Sequence, residues 1–543
     1  MHFPCLFRVP TSRCLIGGLA VCALALSLAG APAPATAQVT AYKQAVAEAA
    51  WEDDDIAAFY RETGYAPIWT GEDDDARARR AALLRALEGV EVHGLPAGRY
   101  DPEGLLRRMG EARTTRDLGL LEVELSRAFL RYARDVQSGM LIPARIDDGI
   151  KREVNAKDRQ TQLVAFAQAS DPVRFMRQLP PATGEYRALM KQKLKMERLI
   201  AEGGWGAAVP MRKLEPGDSG AAVVALRDRL IRMGYMERSA TMSYDRALEA
   251  AVLRFQLAHG LEADGVAGTS TLEEINVSAA DRLKSVIVAM ERERWLNLDR
   301  GERHILVNQT DFSAKIIDNG RVRFQTRAVI GKNLSTHETP EFSDVMDHMV
   351  INPSWYVPRS IIASEYLPQL RANPYAVSHL VITDARGRQV NRGAVNFARY
   401  SARNFPFDMR QPPGPRNALG RVKFMFPNKH NIYLHDTPHK NLFSREVRTY
   451  SHGCIRLNDP FDFAYALLSY QEERPQAFFD RVLASGQETR VELKEPLPVH
   501  LIYRTAFTTT DGRTEYRRDV YDRDARIWEA LRARGVALPS YQG

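Results

Sequence analysis

Cysteine is scarce: four in 543 residues, and three of them (Cys5, Cys14, Cys22) fall within the first 37. That segment carries Arg8 and Arg13, an apolar run from Cys14 to Ala29, and Ala35-Thr36-Ala37 before Gln38. It reads as a secretory signal with an A-x-A cleavage site. Cleavage would leave Cys454 as the sole thiol, which excludes an intramolecular disulfide and leaves a thiol that pairs with another chain or serves chemistry. Long apolar runs are also lacking: the early one is shorter than the ~20 residues a spanning helix needs, and no later stretch rivals it. The expectation is export to the periplasm with no membrane span after cleavage, an uncleaved anchor being the alternative. Strong charge of either sign is missing too. The formal charge of +8 falls to +6 once two arginines leave with residues 1–37; that modest excess favours acidic partners and gives no reason to expect nucleic acid. With 45% hydrophobic and 26% charged residues, the composition excludes collagen-like and prion-like chains.

What is present divides into several units, as the length requires. Residues 38–205 read as helices: Leu118, Leu121, Leu125, Ala128, Phe129, Tyr132 and Val136 step by three and four, laying one apolar stripe along a helix. The acidic runs at 52–55 and 72–75 read as solvated ends. After Gly203-Gly204-Trp205-Gly206, residues 212–277 form a compact unit of three short helices. Asp218-Ser219 and Thr269 are expected as caps, and Gly234 and Gly260 as stops. A linker helix is expected over 278–300. The period then changes to two: 304–308, 313–318 and 322–330 read as strands, with Asn319-Gly320 as a tight turn. This β-rich domain is expected to span 301–498, interrupted at about 358–412 by a mixed segment long enough for a lid. A C-terminal strand and helix occupy 499–543.

Four side chains with chemical potential cluster in sequence: His435, His439, His452 and Cys454. Zinc ligation is one reading, but His435 ends a strand with Asp436-Thr437-Pro438 after it, so a spacing that suits a helix does not bring both histidines to one face. A buried, inert cysteine is another, set against a polar, tightly turning neighbourhood around Gly453. The third is cysteine acyl transfer. His435 takes the thiol proton, Asp436 or a backbone carbonyl orients its imidazole, and Gly453 lets backbone N–H groups approach a developing oxyanion.

Two resemblances bear on this choice. Gly217-Asp218-Ser219-Gly220, Leu226, Gly234-Tyr235, Ala251-Val252, Phe255-Gln256, Gly260-Leu261, Asp264-Gly265, Gly268 and Thr271-Leu272 resemble the type 1 peptidoglycan-binding domain. His435, a fifteen-residue spacer and Ser451-His452-Gly453-Cys454-Ile455-Arg456-Leu457-Asn458 resemble the L,D-transpeptidase family with its YkuD-type catalytic domain. Together with Pro353 to Pro358, Gly414 to Gly420 and Tyr433 to Pro438, they resemble its large YcbB-like periplasmic members. The implied fold is multidomain: an α-helical scaffold, a three-helix binding module, and a mainly-β catalytic domain with an α/β capping insertion. The implied reaction forms 3→3 cross-links through a Cys454 thioester, with D-Ala released from a tetrapeptide stem and His435 as base. His452, Gly453, Tyr433 and Ser451 are implied to form or shape the oxyanion hole, and Arg456, Asn458, Asp436 and Trp355 are candidates for binding substrate. No cofactor or metal is expected. Peptidoglycan stem peptides and glycan are the expected partners, with peptidoglycan synthases and carboxypeptidases as further ones and carbapenems as inhibitors. An L,D-carboxypeptidase or lipoprotein-releasing amidase would use the same residues; a non-catalytic wall-binding scaffold is the alternative of another class.

Overall fold

The computed structural model describes residues 34–154, 156–297, 299–509 and 512–539. The expected signal, 1–37, lies outside them except for its last four residues, where a helix, Pro34–Ala50, begins. Among the described residues no helix is long and apolar enough to cross a membrane.

The apolar stripe forms the helix Thr115–Ser138, started by a capping box between Thr114 and Asp117. It buries Leu121, Leu125, Phe129 and Val136 in a core where Phe129 stacks on Phe166 at 4.5 Å. Glu122, inside this core, accepts the amides of Ile68 and Thr70 at 2.6 and 2.8 Å, so its charge is compensated and fixes the turn before the next helix. Two distant helices complete the core: Ala279–Trp295 through Leu283 and Ile287, and Arg523–Arg532 through Ile527 and Leu531.

Helices Ala221–Arg232, Arg246–His259 and Thr269–Asn276 enclose a separate small core around Leu226, Leu230, Val252, Phe255 and Leu272. Two expected caps shift. Gly220, at φ +109°, precedes the first helix, while the Asp218 carboxylate accepts the Glu215 amide instead. Thr269 is already helical, with Gly268 before it. The Gly260 stop appears at φ +68°.

The β-rich part comprises twelve strands. They are β1 (Arg303–Asn308), β2 (Ser313–Asp318), β3 (Arg321–Gly331), β4 (Phe342–Ile351), β5 (Trp355–Tyr356), β6 (Val381–Thr383), β7 (Asp408–Gln411), β8 (Val422–Met425), β9 (Leu434–His435), β10 (Thr449–Ser451), β11 (Ile455–Leu457) and β12 (Thr489–Ile502). Nine form one sheet in the order β10-β3-β11-β9-β8-β4-β12-β1-β2, and a β2–β3 pairing closes it on itself. Closure leaves the short β10, paired with β3 alone, as the remaining edge. Asn319 and Gly320, both at positive φ, make the β2–β3 turn that the dipeptide predicts. The division drawn at 498/499 falls inside β12, which lies between β4 and β1. The C-terminal segment is therefore shared: its strand completes the sheet, and its helix joins the N-terminal core.

Strands β5, β7 and β6 form a small separate sheet. With the short helical turns between β5 and β6, it builds its own core from Trp355, Ile362, Leu367, Leu370, Ile382 and Met409. This cap shares one residue with the main β core: Tyr433 packs against both.

Candidate active site

Alternation along β9 and β11 creates the site. The two strands are parallel, with Ile455 opposite Leu434 and Arg456 opposite His435. Leu434, Ile455 and Leu457 point into the β core. By the two-residue period, His435 and Arg456 share the opposite face, and the flanking Tyr433 and Cys454 extend it. The sole described thiol and the buried imidazole thus sit on one sheet face beneath the cap.

His435 Nδ1 meets the carbonyl oxygen of Asp436. A carbonyl only accepts, so the proton sits on Nδ1 and the lone pair on Nε2. Burial, reinforced by the Arg456 charge, pushes the imidazole down to about 3, against the opposing pull of the Asp436 and Leu419 carbonyls. The group orienting the histidine is therefore a backbone carbonyl. The Asp436 carboxylate is occupied elsewhere: it accepts the Arg421 amide at 2.9 Å and pairs with Lys440 at 2.9 Å. It is buried and so engaged.

Cys454 Sγ donates at 3.5 Å to the carbonyl of Asn431, which is itself held at φ +55°. Burial pushes the thiol up to about 11, opposed by hydrogen bonds from the Tyr433 amide and hydroxyl and by the Arg456 charge. Arg456 is largely enclosed, and its Nε has no partner among the described residues. A guanidinium in that state beside the thiol can receive a carboxylate.

The turn before the cysteine is tied internally. Ser451 Oγ donates to the Cys454 carbonyl at 2.5 Å and accepts the Gly453 amide at 3.1 Å. Thr339 Oγ1 donates to the Gly453 carbonyl at 2.7 Å, and Gly453 itself sits at φ +113°. The Gly453 amide is thus committed to Ser451. Among the described residues the His452 and Cys454 amides have no acceptor, and these two can face an oxyanion. His452 reaches outward instead, its Nε2 2.5 Å from Glu365 Oε1 in the cap and its ring 4.5 Å from that of His337.

Two further sequence candidates make contacts of their own. Trp355 is buried in the cap core, edge-on to Tyr366. Asn458 donates to Asp459, and its carbonyl accepts Lys440 Nζ at 2.8 Å, so it shapes the end of β11. His439 has no part in the thiol–imidazole face; its amide bonds Thr437 Oγ1. Sequence reasoning missed Asn431, Thr339, Glu365 and His337. A cavity of about 410 Å³ opens beside the turn, lined among others by Asp147, Lys151, Glu338, His430, His452 and Gly453.

Three segments of the chain match known domain families. Residues 302–493 match the L,D-transpeptidase catalytic domain, 219–275 a peptidoglycan binding domain and 54–192 a scaffold domain. A curated protein of Haemophilus influenzae, named as an L,D-transpeptidase, is 31% identical over 245 residues, 44% of this chain and 48% of its own length. The match therefore spans about half of that relative. Among solved structures, an L,D-transpeptidase from Xylanimonas cellulosilytica aligns at 16% identity and TM-score 0.16, covering 55% of this chain and 98% of that one. Another, from Stackebrandtia nassauensis, aligns at 14% and 0.21, covering 55% and 97%.

Proposed function

Starting from a chain that carries an L,D-transpeptidase catalytic domain and a peptidoglycan-binding domain, we propose that it forms 3→3 cross-links in peptidoglycan through a Cys454 thioester in the periplasm. The observation that carries the reading is the shared sheet face of Cys454 and a His435 whose Nε2 is free to accept a proton.

In the first transfer His435 takes the Sγ proton as sulfur attacks the carbonyl carbon between the third residue and terminal D-Ala of a tetrapeptide stem. The C–N bond breaks, D-Ala leaves with the proton returned by His435, and a thioester remains. The His452 and Cys454 amides stabilise the oxyanion. In the second transfer the side-chain amine of another stem attacks the thioester, forming the new amide and restoring the thiol. Arg456, with its free Nε, supplies the charge for a stem carboxylate. The cavity beside the turn, with Lys151, Asp147 and Glu338 on its wall, suits a zwitterionic stem peptide. The cap covers the thioester and keeps water from competing with the amine.

The test is mature protein with disaccharide-tetrapeptide, products read by mass spectrometry. Dimer with loss of D-Ala is expected. Tripeptide alone would indicate a carboxypeptidase, and turnover by Cys454→Ala would overturn the thiolate mechanism.

A further inference from the structure

Outside the thiol–imidazole pair, one group of side chains is drawn together from three separate segments. His337 lies between β3 and β4, Glu365 in the cap, and His452 in the turn before Cys454. One ligand atom from each lies within 4.8 Å of the others, and all three residues are partly buried. Neither Cys454 nor His435 belongs to the group.

We propose that His337, Glu365 and His452 form a site for a divalent transition metal of the zinc class, which fastens the cap to the active-site turn. Two imidazoles and one carboxylate form a mixed nitrogen and oxygen set that suits zinc and its neighbours rather than magnesium or calcium, which want oxygen alone. Three protein ligands leave one position for water. The distances require only local adjustment: bonds of about 2.0–2.1 Å place tetrahedral ligand atoms about 3.3 Å apart. Binding would therefore open the 2.5 Å His452–Glu365 contact slightly and draw His337 inward.

The surroundings favour the required ring orientation. Thr336 Oγ1 lies 2.8 Å from His337 Nδ1, which engages that nitrogen and leaves Nε2 for the metal. The neighbouring backbone is held in place as well, because Thr339, two residues beyond His337, bonds the Gly453 carbonyl. Cap and turn approach here through side chains from both, so a metal replacing the proton between His452 and Glu365 ties one to the other.

The test uses full mature protein carrying Cys454→Ala, so that the thiol cannot bind metal. Zinc is titrated calorimetrically, and the melting temperature is followed with and without zinc. One equivalent is expected to bind and raise the melting temperature. His337→Asn and Glu365→Gln, each on that background and each shown to be folded by its metal-free melt, should lower affinity at least about tenfold and abolish the rise. His430→Asn, a nearby histidine outside the group, should change neither. Absence of uptake, undiminished affinity in either ligand variant, or equal loss in the His430 variant would overturn the site.

Discussion

A thiol held near 11 on the same sheet face as an imidazole held near 3 is a neutral pair, not a thiolate–imidazolium pair. On the proposed mechanism the thiolate then forms during attack, with proton transfer to His435 as the carbonyl closes on sulfur. Alkylation of free Cys454 by iodoacetamide should therefore rise about tenfold per pH unit between pH 6 and 9, because the thiolate fraction does. A preformed ion pair would give a plateau near neutrality, and finding one would refute the neutral ground state. The sign on the histidine side is equally definite. Its folded value of about 3 lies below the ordinary 6.5, so the unfolded chain binds a proton first as pH falls. Stability from this residue is complete above about pH 6.5 and is lost toward pH 3, and His435→Gln should flatten that slope in urea unfolding. Both residues were legible in sequence, one as the sole thiol after the expected signal and the other by spacing. The orienting group was left open between the Asp436 side chain and a backbone carbonyl; that side chain is spent on Arg421 and Lys440, and which carbonyl serves could not be read because every residue has one.

Cys454 follows a turn that does not rest on residues 451–454 alone. Ser451 ties it from within, Thr339 from the segment before β4, and Glu365 from the cap 87 residues earlier in the chain. The motif resemblance implied only that Ser451 shapes the turn. The other two could not be read, since neither Thr339 nor Glu365 stands in any local pattern that points to residue 453 or 452. Nor could burial of Trp355 be foreseen, because the cap's core is assembled from short elements without clear periodicity. Gly453 is where the turn tolerates least change: φ is +113°, and a Cβ would come within 3.3 Å of Ile432 Cδ1 and 3.7 Å of the His337 carbonyl. Gly453→Ala should cost roughly 1–3 kcal/mol through backbone strain. It should also displace the His452 and Cys454 amides, slowing acylation by a carbapenem far more than it slows simple thiol alkylation. Equal slowing of both reactions would mean that the turn does not organise an oxyanion site.

Across the whole molecule the helix Arg523–Arg532 is tied to the segment that carries Thr339. Sequence periodicity separated the helical, small-module and β-rich regions, but it placed the C-terminal helix as an appendage, since nothing local marks which distant core will receive Ile527 and Leu531. The link between that helix and the site is Arg523, fully buried at the helix start beside the stacked rings of Tyr503 and Tyr521. It donates to Glu338 at 3.1 Å, to the Thr339 carbonyl at 3.1 Å and to Gln309 at 3.2 Å, and lies 3.4 Å from Glu341. Arg292, from the helix Ala279–Trp295, neutralises the same Glu341 from the other side at 2.6 Å. Removing one cation therefore leaves an incompletely paired carboxylate in the interior and frees the segment that carries Thr339. Arg523→Met should destabilise the protein by about 3–5 kcal/mol, the usual cost of breaking a buried pair from one side. Arg523→Lys should recover little of this, because a single ammonium cannot serve acceptors spread around a planar fork. Adding Glu341→Gln to Arg523→Met should restore part of the loss by removing the stranded charge. Urea unfolding of the three variants checks this ordering, and a loss below about 1 kcal/mol for Arg523→Met would place the coupling between the C-terminal helix and the active-site turn elsewhere.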